Sequence, residues 1–292
     1  PTTQAMIQVK NLRKEFGTKV AVEDVSFKVE KGEVLGFLGP NGAGKSTTMR
    51  MVTGYFRPTS GSVSLGGIDM LEEPEKAKQL LGYLPENAPL YSDMTVVSFL
   101  GFCAEMRGIY GAAKSKAIDR VLDMCFLDKV RNQSVDTLSK GYRHRTCFAQ
   151  SIIHDPEVLI LDEPTDGLDP NQKHEVRNLI REMGKTKAVI FSTHILEEVD
   201  AACTRAIIID RGRIVSADGK MGPYVPGGGI IDGTKTRNPF NTDLSASDST
   251  PFRDLWPGLL MGRIDQANRA FLKRFRDATD NLLHLEQGGA HA

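Results

Sequence analysis

The stretch Gly39-Pro40-Asn41-Gly42-Ala43-Gly44-Lys45-Ser46-Thr47 decides the fold expected for this chain. It fits the phosphate-loop pattern G-x-x-x-x-G-K-[ST] and follows the apolar run Val34–Leu38, which together predict a buried strand, a glycine-rich turn and a helix start. Glycines there let backbone N–H groups approach a polyphosphate, and the helix N-terminus adds the positive end of its dipole. We expect Lys45 to reach the β- and γ-phosphates and Ser46 to bind Mg²⁺. A plain glycine-rich turn is the alternative, and every fixed position of the pattern argues against it.

Composition places the chain among ordinary globular proteins of one large domain or two small ones. Its 292 residues balance 37 Lys+Arg against 37 Asp+Glu, so no net charge points to nucleic acid, and we expect no nucleic-acid partner. No stretch approaches the roughly 20 apolar residues of a spanning helix, and the start lacks the pattern of a signal peptide. Four widely spaced cysteines favour reduced, buried thiols over a metal site or disulfide.

Hydrophobic patterns predict an α/β fold with a parallel sheet. Residues 6–38 alternate like half-buried strands, whereas residues 86–153 carry apolar side chains at helical spacing. The later runs 158–161, 188–192 and 206–210 are short and apolar, as in strands of a parallel sheet that is covered on both faces. Strands and helices that alternate in this order indicate a parallel α/β sheet.

The helix predicted between the runs 158–161 and 188–192 carries clear start and stop signals. Asp169 is the expected N-cap, Pro170 the first helical residue, and Gly184 the residue that follows the last turn. After about residue 220 the composition changes. We predict a mostly irregular linker over 221–257 and an amphipathic helix over 258–286, packed on the main domain or on a partner subunit, with a membrane-surface helix as the minority interpretation.

Two adjacent carboxylates limit the range of reactions that a phosphate loop alone would allow. Asp162 and Glu163 stand at the carboxyl end of the run 158–161, the end at which open α/β sheets bind ligands. Asp162 is a candidate Mg²⁺ ligand through water, and Glu163 can polarise a water molecule for in-line attack on a γ-phosphate. Solvated acids at a strand end are the alternative, which the nearby phosphate loop makes weak.

With Leu138-Ser139-Lys140-Gly141-Tyr142 the sequence resembles the ATP-binding-cassette (ABC) ATPase family, whose signature loop is usually Leu-Ser-Gly-Gly-Gln. The third and fifth positions differ here. Further motifs of the family occur in the family's order along the chain. Phe16 corresponds to the aromatic residue that stacks on adenine, and Leu84-Pro85-Glu86 to the Q-loop, with Glu in place of Gln. Residues 163–170 correspond to the second acidic motif and the D-loop, and Ser192-Thr193-His194 to the switch-histidine motif. The resemblance covers roughly residues 6–217 and is closest to exporter-type ATPases of the gliding-motility and multidrug groups.

This resemblance implies a fold and a set of partners. The fold is a P-loop NTPase (RecA-like) core with an N-terminal antiparallel β subdomain and an inserted helical subdomain at about 86–153, together filling residues 1–220. ATP and Mg²⁺ are the implied cofactors, and ATP hydrolysis the activity. Two cassettes, as a homodimer or a paired cassette, would enclose two ATP molecules, with Ser139 and Gly141 completing the opposite site. A separate transmembrane permease would hold the protein at the cytoplasmic face of the plasma membrane.

The resemblance also implies roles for individual residues. Lys45, Glu163 and His194 are the candidate catalytic residues, with Glu163 as general base and His194 in contact with the γ-phosphate. Ser46, Asp162 and Glu86 are the candidate metal ligands, and Glu86 would link metal and water to the helical region. Two other classes stay open. One is a soluble cassette that remodels ribosomes, DNA or a protein complex, and the other is a phosphate-loop small-molecule kinase.

Overall fold

The computed structural model describes residues 5–87 and 90–220, and the linker and helix predicted over 221–286 lie outside them. Its first eight elements are β1 (Ile7–Phe16), β2 (Lys19–Val29), β3 (Val34–Leu38), α1 (Lys45–Val52), β4 (Ser60–Leu65), β5 (Ile68–Asp69), α2 (Pro74–Gln79) and β6 (Leu81–Leu84). The others are α3 (Val96–Met106), α4 (Gly111–Met124), α5 (Lys140–Ile152), β7 (Val158–Asp162), α6 (Pro170–Gly184), β8 (Ala188–Thr193), α7 (Leu196–Ala202), β9 (Arg205–Asp210) and β10 (Arg213–Lys220). Short 3₁₀ turns at Asp128–Val130 and Val135–Thr137 join α4 to α5.

Two sheets organise these elements. The first is antiparallel, in the order β2-β1-β4-β5, and the second has the order β10-β9-β3-β8-β7-β6. In the second sheet β9, β3, β8, β7 and β6 run parallel, while β10 returns antiparallel to β9. The predicted α/β class, with an antiparallel N-terminal part and a parallel core, is confirmed. The parallel strands bring their carboxyl ends to one edge, where the site lies.

The parallel strands are buried on both faces. In β7, Leu159 and Leu161 face one core, which the helices of the central region cover, and Val158 and Ile160 face a second core, shared with the antiparallel sheet and α1. All four side chains are fully buried. Each such burial stabilises the fold by about 1.5–3 kcal/mol, and it explains why the run is apolar without alternation.

The helical region inserted between β6 and β7 consists of α3, α4 and α5, within the range predicted as helical. Thr95 caps α3 by accepting a hydrogen bond from the Ser98 N–H at 3.2 Å. Leu100, Val121 and Phe148, one from each helix, are buried in a shared core. No helix in the described ranges is both long and apolar enough to cross a membrane.

Helix α6 begins as predicted and ends differently. Asp169 Oδ1 accepts a hydrogen bond from the Gln172 N–H at 2.9 Å, and Pro170 is the first helical residue. Gly184, however, is the last residue inside the helix, and the C-cap is Lys185 in right-handed conformation, so the predicted role of Gly184 is wrong. Its physical reason is space, because a Cβ on Gly184 would lie 2.1 Å from Cγ2 of Val34 in β3. This glycine lets the helix approach the sheet closely.

Candidate active site

The phosphate loop connects β3 to α1, and its shape requires glycine at two positions for different reasons. A Cβ on Gly39 would fall 2.4 Å from the carbonyl oxygen of Ile209, so no side chain fits between the loop and β9. Gly44, the N-cap of α1, has φ 105°, a conformation that side-chain-bearing residues avoid. The loop is therefore clamped against the neighbouring strand at its start and turned sharply into the helix at its end.

Lys45 follows the loop as the first residue of α1, with 6% of its surface exposed. Its ammonium group donates a hydrogen bond to the carbonyl oxygen of Gly39 at 2.7 Å. The same Nζ is 3.5 Å from Oε1 of Glu163. A buried ammonium thus bridges the loop and the acidic strand end, in the position where a phosphate group would meet both.

Asp162 is the most deeply buried carboxylate of the site, at 1% exposure. Strands β7 and β8 pair Asp162 with Ser192, whose hydroxyl donates to Oδ1. The other oxygen, Oδ2, is buried and has no hydrogen-bond partner in the described part of the chain. Burial raises the pKa of Asp162, and the Ser192 and nearby Ser46 hydroxyls oppose that rise. A buried carboxylate oxygen with a free lone pair is the kind of ligand a hard cation takes.

The arrangement fits Mg²⁺ in particular. Residues 5–87 and 90–220 hold no group of three or more His, Cys, Asp and Glu side chains that could bind a metal on their own. Mg²⁺ does not need one, because it is usually held by one or two protein oxygens together with water and substrate phosphates. The buried Oδ2 of Asp162 and the adjacent Ser46 hydroxyl suit that requirement.

Glu163 is held from three sides. Its backbone N–H donates to the carbonyl oxygen of Ser192 at 3.1 Å, and its φ of 50° lies in the left-handed region, a strained conformation for a side-chain-bearing residue. Oε2 is 3.1 Å from Nδ1 of His194, and Oε1 faces Lys45. The carboxylate of Glu163 raises the pKa of His194. The three residues predicted as catalytic therefore form one contiguous cluster.

One surface pocket gathers most of the predicted residues. Its lining consists of Lys19, Val20, Ala21, Asn41, Gly42, Gly44, Lys45, Ser46, Thr47, Glu86, Glu163, Asp166, His194 and Arg211. Gly39 and Ala43 are buried beneath the loop and Pro40 is half-buried, so they shape the loop without lining the pocket. The sequence motifs did not indicate Lys19, Val20 or Arg211, because these residues come from β2 and the β9–β10 turn and belong to no motif.

Phe16 is not among the residues that line this pocket. It lies at the end of β1, with its ring edge-on to Phe56 at a centroid distance of 5.5 Å. The Lys14 ammonium lies 5.1 Å from the centroid of the same ring. Nothing in this packing tests adenine stacking on Phe16, which stays a prediction.

The signature loop forms the start of α5 on a different surface. Ser139 caps the helix, accepting a hydrogen bond from the Tyr142 N–H at 3.4 Å. Gly141 packs against α6, where a Cβ would fall 2.3 Å from Oε1 of Gln172. Neither Ser139 nor Gly141 lines the pocket of its own chain. Lys140 connects the two regions, since its ammonium is 3.4 Å from Oδ2 of Asp166, which does line the pocket.

Comparison with known proteins agrees with this geometry. The family profile described as ABC transporter matches residues 22–166. The chain is 38% identical over 213 residues to the linearmycin resistance ATP-binding protein LnrL of Bacillus subtilis, covering 72% of this chain and 68% of that protein. It is 37% identical over 215 residues to the probable multidrug ABC transporter ATP-binding protein YbhF of Escherichia coli, covering 73% of this chain and 37% of YbhF.

Solved structures show the same similarity. An ATP-binding subunit of an ABC transporter superposes with a TM-score of 0.68 at 29% identity, covering 73% of this chain and 89% of that one. A dimeric ATP-binding cassette bound to ADP and Pi superposes with a TM-score of 0.69 at 22% identity, covering 75% and 100%, which is evidence for the fold alone.

Proposed function

We propose that this chain works as a dimer around two ATP molecules and drives export through a separate membrane permease. The chain belongs to the ABC transporter family and is an ATP-binding, ATP-hydrolysing subunit. The names of its relatives support the direction: linearmycin resistance, multidrug transport and, at 34% identity over 221 residues, Nod factor export in Cupriavidus pinatubonensis. No similarity above favours a soluble remodelling cassette or a small-molecule kinase.

One observation carries the chemical part of this proposal: Glu163 lies between the Lys45 ammonium at 3.5 Å and the His194 ring at 3.1 Å. Lys45 and the loop would hold the β- and γ-phosphates, and Glu163 would accept the proton of the attacking water while His194 orients the carboxylate. Asp162 and Ser46 would hold Mg²⁺, with Glu86 at the pocket wall as a further candidate ligand. When bound, the ion neutralises charge on the β- and γ-phosphate oxygens.

The position of the signature loop outside the pocket of its own chain supports the dimer. Ser139 and Gly141 lie outside their own pocket, although the N-terminus of an α-helix such as α5 is a favourable place for a phosphate. A second copy related by a two-fold axis would bring its α5 terminus to the exposed side of the first pocket. Each pocket would then be completed by the signature loop of the other protomer, in an isologous interface.

The helical region is where we expect the permease to bind. Large hydrophobic side chains are exposed there on α3 and the loops beside it: Tyr91, Phe102, Met106 and Tyr110. Such a group of exposed apolar side chains is typical of an interaction surface. Glu86 would connect this region to the pocket, since it lies two residues after the end of β6 and lines the pocket. The permease would keep the protein at the cytoplasmic face of the plasma membrane.

Glu163→Gln tests the proposal. If Glu163 is the base, phosphate release should fall by about 10²- to 10⁴-fold, the usual contribution of general base catalysis. ATP binding should persist, and with ATP and Mg²⁺ the variant should elute from a sizing column as a dimer. Glu157→Gln is the matched control, since Glu157 is an exposed carboxylate paired with Lys31 at 2.8 Å and lies outside the pocket.

The two parts of the proposal can fail separately. Undiminished turnover by Glu163→Gln would refute the base assignment. Ser139→Arg should abolish the ATP-dependent dimer, because a bulky side chain replaces the cap at the proposed contact. Full hydrolysis by a strictly monomeric protein would refute the cross-protomer site while leaving the assignment of Glu163 intact.

A further inference from the structure

The proposed mechanism does not use Arg211, a cation at the mouth of the pocket. Arg211 is exposed, lies in the turn between β9 and β10, and lines the same pocket as Lys45 and Ser46. Within 5–87 and 90–220 its guanidinium makes no hydrogen bond or ion pair. Arg213, two residues further along the same hairpin, is instead paired with Glu23 at 2.8 Å. An unpaired guanidinium in a nucleotide pocket is placed to meet an anion.

The hairpin holds Arg211 in a defined position. Both residues of the two-residue turn have positive φ, 48° at Arg211 and 76° at Gly212, as in the type I′ hairpin turn. Left-handed backbone is unfavourable for a residue such as arginine, which carries a Cβ. Gly212 cannot be replaced without strain, since a Cβ there would lie 2.6 Å from the carbonyl oxygen of Ala21.

Hydrogen bonds also tie the turn to the phosphate loop. The Gly212 N–H donates to the carbonyl oxygen of Ala43 at 2.8 Å, and the Glu23 N–H donates to the carbonyl oxygen of Gly212 at 2.7 Å. The turn therefore bridges the loop and β2. Arg211 is carried on a fixed support beside the loop rather than on a free surface segment.

Strand order decides which part of a nucleotide Arg211 would meet. In the sheet, β9 lies on one side of β3, whereas β8 and β7 lie on the other. The groups assigned to the γ-phosphate, Glu163 and His194, follow β7 and β8. Arg211 follows β9, and the adjacent Gly212 accepts a hydrogen bond from the N–H of Glu23 in β2, the strand that contributes Lys19 and Val20 to the pocket. Arg211 therefore lies on the side of β3 opposite the groups assigned to the γ-phosphate, where the nucleoside end of a bound nucleotide would lie.

We propose that Arg211 is a nucleotide-binding residue that holds the α-phosphate and ribose end of the nucleotide. This inference rests on the proposed function, because it takes the pocket to be the ATP site. A contact at that end is common to ATP and ADP. Arg211 thus sets the affinity for substrate and product alike and takes no part in cleavage of the γ-phosphate.

The test measures nucleotide affinity and turnover of the full chain for Arg211→Ala, Arg211→Lys and the control Arg213→Ala. Titration calorimetry gives the Kd of ADP, and of ATP in the Glu163→Gln background. Arg211→Ala should raise both Kd values by a similar factor, about 10- to 150-fold, as expected when a charge-assisted hydrogen bond is lost. KM for ATP should rise by the same factor with kcat within about twofold. Arg211→Lys should recover most of the affinity.

The control separates a binding role from a structural one. Arg213→Ala loses an ion pair of the same hairpin, so an equal loss of affinity in both alanine variants would show that the hairpin, and not the Arg211 guanidinium, matters. Weaker ATP binding with unchanged ADP binding would place Arg211 at the γ-phosphate and overturn the inference. Lys45→Ala serves as the reference for the pocket itself. Wild-type affinity in that variant would refute the proposed ATP site, a result distinct from a failure of Arg211.

Discussion

Asp162→Asn is expected to make the nucleotide-free protein more stable and the nucleotide-bound protein less stable. In the wild type a carboxylate is buried to 1% exposure, with one oxygen bonded to Ser192 and the other without a partner among the described residues. Burial raises its pKa, so the folded protein binds the proton more tightly than the unfolded chain. The free energy of unfolding therefore falls as the pH rises from the usual value of 3.8 through the raised pKa, and the full penalty is present above the raised pKa.

The amide of the variant removes the charge and keeps the shape. An unsatisfied buried polar group costs about 1–3 kcal/mol, and more when it is charged. The buried amide keeps part of that cost, so we expect a net gain of about 1–2 kcal/mol, or a rise of about 2–8 °C in the thermal midpoint. Asp119→Asn is the control, because Asp119 is an exposed partner of Arg131 at 3.2 Å and such pairs contribute little.

Nucleotide should reverse the order of stability. Ligand at 100 times its Kd stabilises a protein by about 2.7 kcal/mol. In the Glu163→Gln background, ATP with Mg²⁺ should give the parent more stabilisation than ATP with EDTA, whereas adding Asp162→Asn should remove that difference. Urea unfolding followed by circular dichroism measures these four conditions and the nucleotide-free wild type and Asp162→Asn proteins. A lower urea midpoint for nucleotide-free Asp162→Asn would refute the argument from burial, and a retained Mg²⁺ effect would refute the role of Asp162 as ligand.

Three further results are expected. Glu163 raises the pKa of His194, so below pH 6.5 the wild type should have a larger free energy of unfolding than His194→Asn. The difference should disappear as the pH rises through the raised pKa, and urea unfolding from pH 5.5 to 8.5 measures it. Gly141→Ala puts a methyl group against α6, so the ATP-dependent dimer of Glu163→Gln should weaken on a sizing column without loss of ADP affinity. Burial raises the pKa of the Cys125 and Cys147 thiols to about 12, so a thiol reagent at pH 8 should label them only after unfolding, as judged by mass spectrometry.

The sequence predicts those parts of the fold in which one contiguous segment carries both structure and chemistry. The phosphate loop is such a segment, because strand, glycines, lysine and helix start follow one another without interruption. The acidic pair is another, since the burial of β7 on both faces shows as an unbroken apolar run that ends in Asp162. The N-cap of α6 is equally local, because Asp169 bonds to a backbone N–H three residues away.

Features that depend on distant segments could not be predicted from local pattern. A glycine such as Gly184 can either end a helix or allow the helix to pack closely against a neighbouring strand, and the sequence does not distinguish the two roles. The position of Val34 in β3 decides between them. Arg211 belongs to no motif, and its place in the pocket follows from the pairing of β9 with β3 and the bond from Gly212 to the loop. Such contacts arise when the sheet assembles, so tertiary structure alone reveals them.

The charge arrangement around Glu163 suggests why its activity would depend on bound substrate. In the structure, the Lys45 ammonium is shared between the carbonyl oxygen of Gly39 and Oε1 of Glu163. A polyphosphate offers Lys45 a more highly charged partner, and an ammonium has only three donors, so binding draws it away from the carboxylate. Oε1 then becomes free to accept a proton from water, while Oε2 stays fixed by His194. On the proposed roles, substrate binding itself prepares the base.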